Sequence, residues 1–189
     1  MILPIVAYGS PVLKQKAEEI SADYPNLEQL IEDMFETMYQ ANGVGLAAPQ
    51  IDKSIQLFIV DGSPFAEDEA DMEDFCKVFI NPIILKQDGE GWLFNEGCLS
   101  IPNIREDVKR LPKIHIRYQD EDFNTIEEEY QGTKARIIQH EYDHLQGILF
   151  TDYLSSIKKR LLKGKLNDIS KGNVKVDYRM KFPLKQKRS

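Results

Sequence analysis

Two histidines four residues apart constrain this chain more than any other feature. The stretch 139–147 reads Gln-His-Glu-Tyr-Asp-His-Leu-Gln-Gly, and in a helix His140 and His144 would lie one turn apart on the same face. That spacing suits two bonds to one divalent metal ion, and Glu141 is close enough to act on a water molecule there. The alternative is a surface helix that carries two histidines without a metal. The H-E-x-x-H pattern favours the metal site.

The composition indicates one globular domain. The chain has 189 residues, 42% of them apolar and 29% charged, which suits a single domain with a buried core. We therefore expect one domain over residues 1–189, with a basic C-terminal helix and extension from about residue 154. No apolar run is as long as a membrane span, and the start lacks a basic or long apolar segment, so no secretory signal is expected. Cys76 and Cys98 are expected to be reduced thiols of a cytoplasmic protein.

The charge is unevenly distributed along the chain. The net charge is −7, yet residues 158–189 hold twelve Lys/Arg against two Asp, and an acidic run occupies residues 67–74. The acidic body should repel nucleic acid, whereas the basic end should attract a polyanion. We expect neither membrane binding nor sequence-specific binding of nucleic acid. The alternative for the basic run is a solvated helix face.

Hydrophobic periodicity predicts an α+β fold with mostly antiparallel sheets around the central metal-binding helix. The clearest helix runs from a cap at Asn26 to Asn42-Gly43, because its apolar residues repeat at intervals of three and four. Further helices are predicted at 11–19, 133–146 and 154–170, the last weakened near Gly164. Strands are predicted at 55–61, 77–81, 83–86, 105–110, 114–120, 125–131 and 174–180, with an interruption at Pro82 and a solvated loop at 62–75.

A catalytic metal site usually has three protein ligands and one open position, so the two histidines need a third partner. The candidates are Cys98, His115 and many carboxylates. His115 lies in the middle of a predicted strand, which favours a place on a sheet face. Cys98 follows Gly97 among small residues, and one thiolate with two imidazoles would suit zinc, iron(II), cobalt or nickel. A buried thiol without a metal is the alternative for Cys98.

Three stretches together resemble one enzyme family. They are Gly43-Val44-Gly45-Leu46-Ala47-Ala48-Pro49-Gln50, Glu96-Gly97-Cys98-Leu99-Ser100 and Gln139-His140-Glu141-Tyr142-Asp143-His144. Their order and spacing are similar to those of peptide deformylase, and the similarity extends from the start to about residue 155. That family removes the formyl group, as formate, from the N-formylmethionine of new bacterial polypeptides. The resemblance implies a deformylase-like α+β fold, a cytoplasmic bacterial location and formylmethionyl nascent peptides as partners.

The resemblance also implies a role for each motif residue. Glu141 would take a proton from water and later return it to the leaving amine. The Gln50 side chain and the Leu99 backbone N–H would donate to the oxyanion, and Gly45 would present its backbone to the substrate. The ligands of one divalent ion, natively iron(II) and replaceable by nickel, cobalt or zinc, would be Cys98, His140 and His144.

The methionine side chain requires an apolar pocket. Residues three and four before His140 share its helix face, and we expect Val44, Phe94 and Ile137 to form the pocket wall. Arg136 departs from the apolar residue that the family often has, and we expect its stem to cover the pocket while its head reaches water. Core packing is the alternative for each of these side chains. The substrate-binding candidates are Val44, Gly45, Phe94, Gly97, Arg105, Arg136 and Ile137.

Two other functions stay open on the sequence alone. A zinc metallopeptidase shares the H-E-x-x-H pattern, but the stretches around Cys98 and Gln50 argue against it. A structural metal module, or a ribosome-associated protein without catalysis, would have no need of Glu141. For an enzyme of nascent chains, the basic helix predicts docking to ribosomal RNA. The cations concerned are Lys158, Lys159, Arg160, Lys163 and Lys165.

Overall fold

Residues 1–184 are described by the computed structural model, and in this range the chain forms three α-helices and nine β-strands. The helices are α1 (Leu27–Gln40), α2 (Gly132–Leu145) and α3 (Ser156–Ser170). The strands are β1 (Ile5–Val6), β2 (Gly45–Ala47), β3 (Leu57–Asp61), β4 (Cys76–Asp88), β5 (Trp92–Cys98), β6 (Ile101–Arg110), β7 (Lys113–Gln119), β8 (Thr125–Gln131) and β9 (Met180–Lys181). None of the helices in the described range has the length and apolar character needed to cross a bilayer.

Antiparallel pairing dominates the sheets. The central sheet has five strands in the order β2-β3-β4-β7-β8, and every neighbouring pair in it is antiparallel. A separate hairpin pairs β5 with β6, and a short parallel pair joins β1 to β9. The prediction of an α+β fold with mostly antiparallel sheets is therefore confirmed.

The central sheet has an apolar core on each of its faces. Successive strand residues point to opposite faces, so Ile59 joins the cluster that contains Met34 of α1, whereas Phe58 joins the cluster that contains Ile138 of α2. All five residues of β3 are buried, as expected for a strand covered on both faces. A third cluster lies where β6 and α3 meet. Helix α2 is thus fixed in the interior, and its rigid placement positions the histidine motif.

The predicted bounds of α1 and α2 are confirmed to within two residues, but three other predictions of local structure were wrong. Residues 11–19 form only a short 3₁₀ turn at Pro11–Lys14, because the N–H of Ala17 donates to the carbonyl of Leu145 rather than within a helix. Strand β4 continues through Pro82, with its register shifted between Ile80 and Ile83. Helix α3 continues through Gly164, since its apolar residues on both sides of this position are buried against the body.

The acidic loop and the tail also differ from expectation. In the loop at 62–75, Met72 is completely buried and Phe75 nearly so. The Asp71 carboxylate lies 2.9 Å from the ammonium group of Lys134 at the start of α2 and forms an ion pair with it. The loop is therefore packed against the body rather than fully solvated. Of the strand predicted at 174–180, only the last residue lies in a strand, β9.

Candidate active site

Three possible metal ligands converge from two elements. Strand β5 ends at Cys98, a free thiol, and α2 carries His140 and His144 on one face. The Cys98 Sγ lies 3.4 Å from His144 Nε2, and the ligand atoms of all three residues lie within 4.8 Å of one another. His115 lies on β7, where its Nε2 is 3.4 Å from the Glu127 carboxylate, and it is not part of this group.

The environment of the two histidines fits a transition-metal ion. The Nδ1 of His140 lies 2.9 Å from Glu96 Oε2, which leaves Nε2 as the nitrogen available to a metal, in the manner typical of carboxylate-oriented ligands. His144 is almost completely buried, and its Nδ1 has no hydrogen-bond partner within residues 1–184. One soft sulfur and two imidazole nitrogens are donors suited to iron, cobalt, nickel or zinc.

A buried network of charges supports this group. The Glu96 carboxylate accepts from Arg110 Nε at 2.7 Å and from Arg136 Nη1 at 2.9 Å, and Arg110 Nη1 also donates to Asp143 at 2.6 Å. Burial alone would raise the pKa of Glu96, but hydrogen bonds with His140 and Arg110 more than offset this and lower it. Glu96 therefore stays ionised and holds the His140 ring in place.

Glu141 lies beside the possible ligands in an enclosed environment. It is 4% exposed, and its Oε2 has no hydrogen-bond partner among the residues that the structure describes. Burial raises the pKa of Glu141 to about 7, because the charged form loses hydration. A Cβ added to Gly45 of β2 would overlap the Glu141 carboxylate, whose Cδ would be only 2.7 Å away. Glycine at this position is therefore needed to leave room for the Glu141 carboxylate.

Gln50 presents its amide NH₂ group to the same place. The N–H of Ala47 donates to Gln50 Oε1 at 2.9 Å, which fixes the amide orientation. Its Nε2 then donates to Ser100 Oγ at 3.3 Å and lies 3.5 Å from Cys98 Sγ. Gln50 is 1% exposed, so this donor is held rigidly.

A cavity of about 530 Å³ opens in front of these groups. Its lining joins polar and apolar side chains, among them Gln50, Cys98, Leu99, His140 and Glu141. The seven substrate-binding candidates all contribute to its wall as well: Val44, Gly45, Phe94, Gly97, Arg105, Arg136 and Ile137. An amide carbon placed here would face a metal site, a carboxylate and an amide donor.

Comparison with known proteins decides the family. The sequence profile described as Polypeptide deformylase matches residues 2–160. A peptide deformylase of Christiangramia forsetii is 57% identical over 194 residues, which cover 99% of this chain and 99% of the relative. The chain belongs to the polypeptide deformylase family. It is a hydrolase of protein biosynthesis that removes the N-formyl group from nascent peptides, and the function predicted from the three stretches is confirmed.

Solved deformylases have the same fold. A peptide deformylase of Legionella pneumophila is 34% identical, with a TM-score of 0.79 over 92% of this chain and 98% of its own. A class I type b peptide deformylase of Acinetobacter baumannii, in a crystal structure with Met-Ala-Ser bound, is 37% identical, with a TM-score of 0.74 over 82% of this chain and 99% of its own. The deformylase-like fold is confirmed, and the family is one of metalloenzymes rather than of metallopeptidases or purely structural metal modules.

One expectation about the deformylase pocket was wrong. Arg136 lines the cavity but is only 2% exposed, and its head does not reach water. Instead the guanidinium binds Glu96 and donates to the carbonyls of Trp92 at 2.8 Å and Val108 at 3.0 Å. The buried carboxylate of Glu96 attracts this cation inward, because an unpaired buried charge would be far less stable.

Arg105 and Gly97 form one unit at the rim. The Arg105 guanidinium donates to the Asn95 side chain at 2.9 Å and to the Asn95 carbonyl at 2.6 Å. A Cβ at Gly97 would come within 2.7 Å of Arg105 Nη1. The absence of a side chain at Gly97 therefore lets Arg105 lie across β5 at the cavity mouth.

Several residues of the deformylase site were missed in the sequence. Phe65 of the acidic loop and residues 175–178 line the cavity, and Glu96 binds His140, Arg110 and Arg136 beside it. An aromatic residue next to an acidic run is the signal that Phe65 offered, and the alternation of 174–180 is the signal for the second segment. The role of Glu96 had no signal of its own, since its partners are distant in sequence.

Proposed function

We propose that this deformylase uses Cys98, His140 and His144 to hold one divalent metal ion and Glu141 as the general base and acid. The observation that carries the proposal is the convergence of the three ligand atoms within 4.8 Å of one another beside a buried carboxylate. Iron(II) is proposed as the native ion, with nickel, cobalt or zinc as substitutes. The donor set of one thiolate and two imidazoles supports this choice.

The metal and the protein have separate tasks. When bound, a divalent ion supplies a Lewis acid that polarises a carbonyl oxygen and makes water a better nucleophile at neutral pH. Glu141 receives the proton of the attacking water and delivers it to the leaving amine. Its pKa, raised by burial to about 7, suits a group that must both accept and donate a proton near neutrality. Glu96 keeps the His140 ring in the orientation that directs Nε2 toward the ion.

Two donors are proposed for the oxyanion that forms at the formyl carbon. The Gln50 Nε2 is fixed through the bond from Ala47 to Gln50 Oε1, and the backbone N–H of Leu99 follows the ligand Cys98 directly. Donors that are already in place stabilise developing charge without reorganisation.

The apolar part of the cavity is proposed to receive the methionine side chain. Ile137 is 5% exposed, and Val44 and Phe94 are half-buried at the cavity wall. The Met-Ala-Ser peptide bound to the Acinetobacter baumannii enzyme supports a peptide that begins with methionine in this chain as well. We also propose that the chain acts as one domain in the bacterial cytoplasm.

The test compares three peptides on the metal-loaded protein. Formyl-Met-Ala-Ser should release formate, whereas acetyl-Met-Ala-Ser and an internal peptide bond should react far more slowly. Glu141→Gln should retain the metal and lose about 10²–10⁴-fold in kcat. Glu106→Gln, which changes a carboxylate paired with Lys158, serves as the matched control and should keep wild-type kcat. Wild-type turnover by Glu141→Gln with metal bound would refute the role of Glu141.

We propose in addition that α3 docks on ribosomal RNA. Ile157 and Leu161 are 71% and 76% exposed, one turn apart, in a helix rich in cations. Lys158 binds Glu106 at 2.5 Å, and Lys159 donates to the carbonyl of Asp152 at 2.7 Å. Of the five cations in the basic run of α3, the other three are exposed and are proposed to contact the RNA: Arg160, Lys163 and Lys165.

Ribosome co-sedimentation tests this proposal. Changing Arg160, Lys163 and Lys165 together to glutamine should lower binding and its salt dependence, since fewer counterions are released. Turnover of free formyl-Met-Ala-Ser should be unchanged. The matched control changes three exposed lysines elsewhere, Lys53, Lys109 and Lys113. Equal binding by both triple variants at low salt would refute docking through α3.

A further inference from the structure

The segment after α3 returns to the active site. Residues 175–178 line the same cavity as Cys98 and Glu141. The match to the family's sequence profile ends at residue 160, so this segment lies outside the part of the chain that the profile covers.

The segment is anchored at both of its ends. Asn103 Nδ2 donates to the carbonyl of Lys175 at 3.1 Å. Further along, Met180 and Lys181 form β9 and pair with β1, and the Lys181 ammonium lies 2.5 Å from the Asp52 carboxylate. Residues between these anchors are therefore held at a fixed position relative to the cavity wall.

Tyr178 makes the most direct contact between this segment and the site. Its hydroxyl donates to the Leu99 carbonyl oxygen at 2.7 Å, and the contact is partly buried. Leu99 follows Cys98 and carries the N–H proposed as an oxyanion donor. The hydroxyl of Tyr178 thus contacts the residue that carries the proposed donor and directly follows a proposed metal ligand.

Leu99 needs such support because it lies where the hairpin ladder is irregular. The β5–β6 register shifts between Gly97 and Cys98, and Cys98 pairs with Ile101 across the turn. The next residue, Ser100, is held by a hydrogen bond from the N–H of Tyr8 to its carbonyl oxygen, at 2.8 Å. The Leu99 side chain packs beside Gly43, where a Cβ would come within 2.8 Å of it. With its side chain and carbonyl both held, Leu99 cannot turn its N–H away without breaking a contact.

We propose that Tyr178 is a positioning residue for deformylation. Its hydroxyl fixes the Leu99 carbonyl, and the Leu99 N–H consequently keeps the direction in which it donates to the oxyanion. The inference rests on the proposed role of Leu99 as a donor. It assigns to the C-terminal segment a part in the chemistry, not only in the packing of the fold.

The test is Tyr178→Phe, which keeps the ring and removes only the hydroxyl. Removing an oxyanion donor entirely lowers kcat about 10²–10³-fold, so loosening one should lower it about tenfold, with KM within about twofold, because the bond forms in the transition state. The matched control is Tyr39→Phe on α1, which removes a hydroxyl bond of the same 2.7 Å length to the Asp61 carboxylate at the end of β3. The control should retain wild-type kcat.

A spectroscopic measurement accompanies the kinetics. In the zinc-loaded, ¹⁵N-labelled protein, the amide signals of Leu99 and Ser100 should shift and exchange faster in Tyr178→Phe, but not in Tyr39→Phe. Wild-type kcat in Tyr178→Phe, equal losses in both variants, or a kcat loss with an unchanged Leu99 amide would each overturn the inference while leaving the proposed function intact. Failure of the wild-type protein itself to release formate would instead overturn the proposed function.

Discussion

Replacing Glu96 with glutamine should destabilise the metal-free protein by about 3–5 kcal/mol, the range found when one partner of a buried ion pair is removed. Glu96 is 4% exposed and accepts two bonds from Arg110, at 2.7 and 3.0 Å, and one from Arg136 at 2.9 Å. A neutral amide would leave Arg136 without a carboxylate partner and leave Arg110 with Asp143 alone. Of the two buried guanidinium groups, only that of Arg110 would then keep a carboxylate partner.

The matched control lies opposite Glu96 in the hairpin. Glu106 lies opposite Glu96 in the β5–β6 register, but the ion-pair partner of Glu106 is Lys158, whose side chain is 45% exposed. Such pairs contribute only about 0–1 kcal/mol, so Glu106→Gln should be nearly neutral. Unfolding of both chelator-treated variants in guanidinium chloride at 25 °C measures the difference in the free energy of unfolding. In a thermal melt, a chain of this length should show a fall in melting temperature of about 6–20 °C for Glu96→Gln.

Metal affinity provides the second measurement. Loss of the Glu96 contact with His140 Nδ1 should weaken metal binding about 10–100-fold, as measured by competition with a chelator of known affinity. The reasoning would be refuted if Glu96→Gln and Glu106→Gln lost equally little stability, within about 1 kcal/mol. Unchanged metal affinity would contradict the orienting role of Glu96 separately.

Three other changes have defined outcomes. Gly45→Ala should displace Glu141 and abolish most turnover at a cost of about 1–3 kcal/mol in stability, and wild-type kcat would contradict the close approach seen here. Gly164→Ala, at a helical position with open space around it, should raise the free energy of unfolding by about 0.5–1 kcal/mol without affecting kcat; a loss of stability would show that α3 is strained there. If Cys98 ligates iron(II), the iron-loaded enzyme should lose activity in air faster than the nickel-loaded enzyme, and equal half-lives at confirmed metal content would argue against that ligand.

Features encoded locally were predictable from the sequence. Helix α1 is marked by the regular spacing of apolar residues such as Met34, and α2 by the motif that ends before Gly147. The spacing of His140 and His144 also fixes their common face, because it depends on helix geometry alone. These predictions required no knowledge of which elements pack together.

Features that depend on distant partners were not predictable. Arg136 looks like a surface cation on a helix, and only the fold shows that Glu96 lies against it. Alternation at 174–180 suggested a strand, but β1 offers β9 a partner of only two residues. The position of Tyr178 is similarly determined by the return of the chain to Leu99, and the alternation at 174–180 does not reveal which residue the segment will contact.

The parallel pair of β1 and β9 has a consequence for the order of events during translation. Ile5 and Val6 are made before every helix and the central sheet, yet their partners Met180 and Lys181 follow all of these elements. Folding generally proceeds from the N-terminal side as a chain emerges. The pairing of β1 with β9, however, forms only after residues 180 and 181 have been synthesised, and Tyr178 reaches Leu99 at the same stage. The active site is thus incomplete until translation has passed residue 178, since the contact of Tyr178 with the Leu99 carbonyl forms only after the rest of the site has been synthesised.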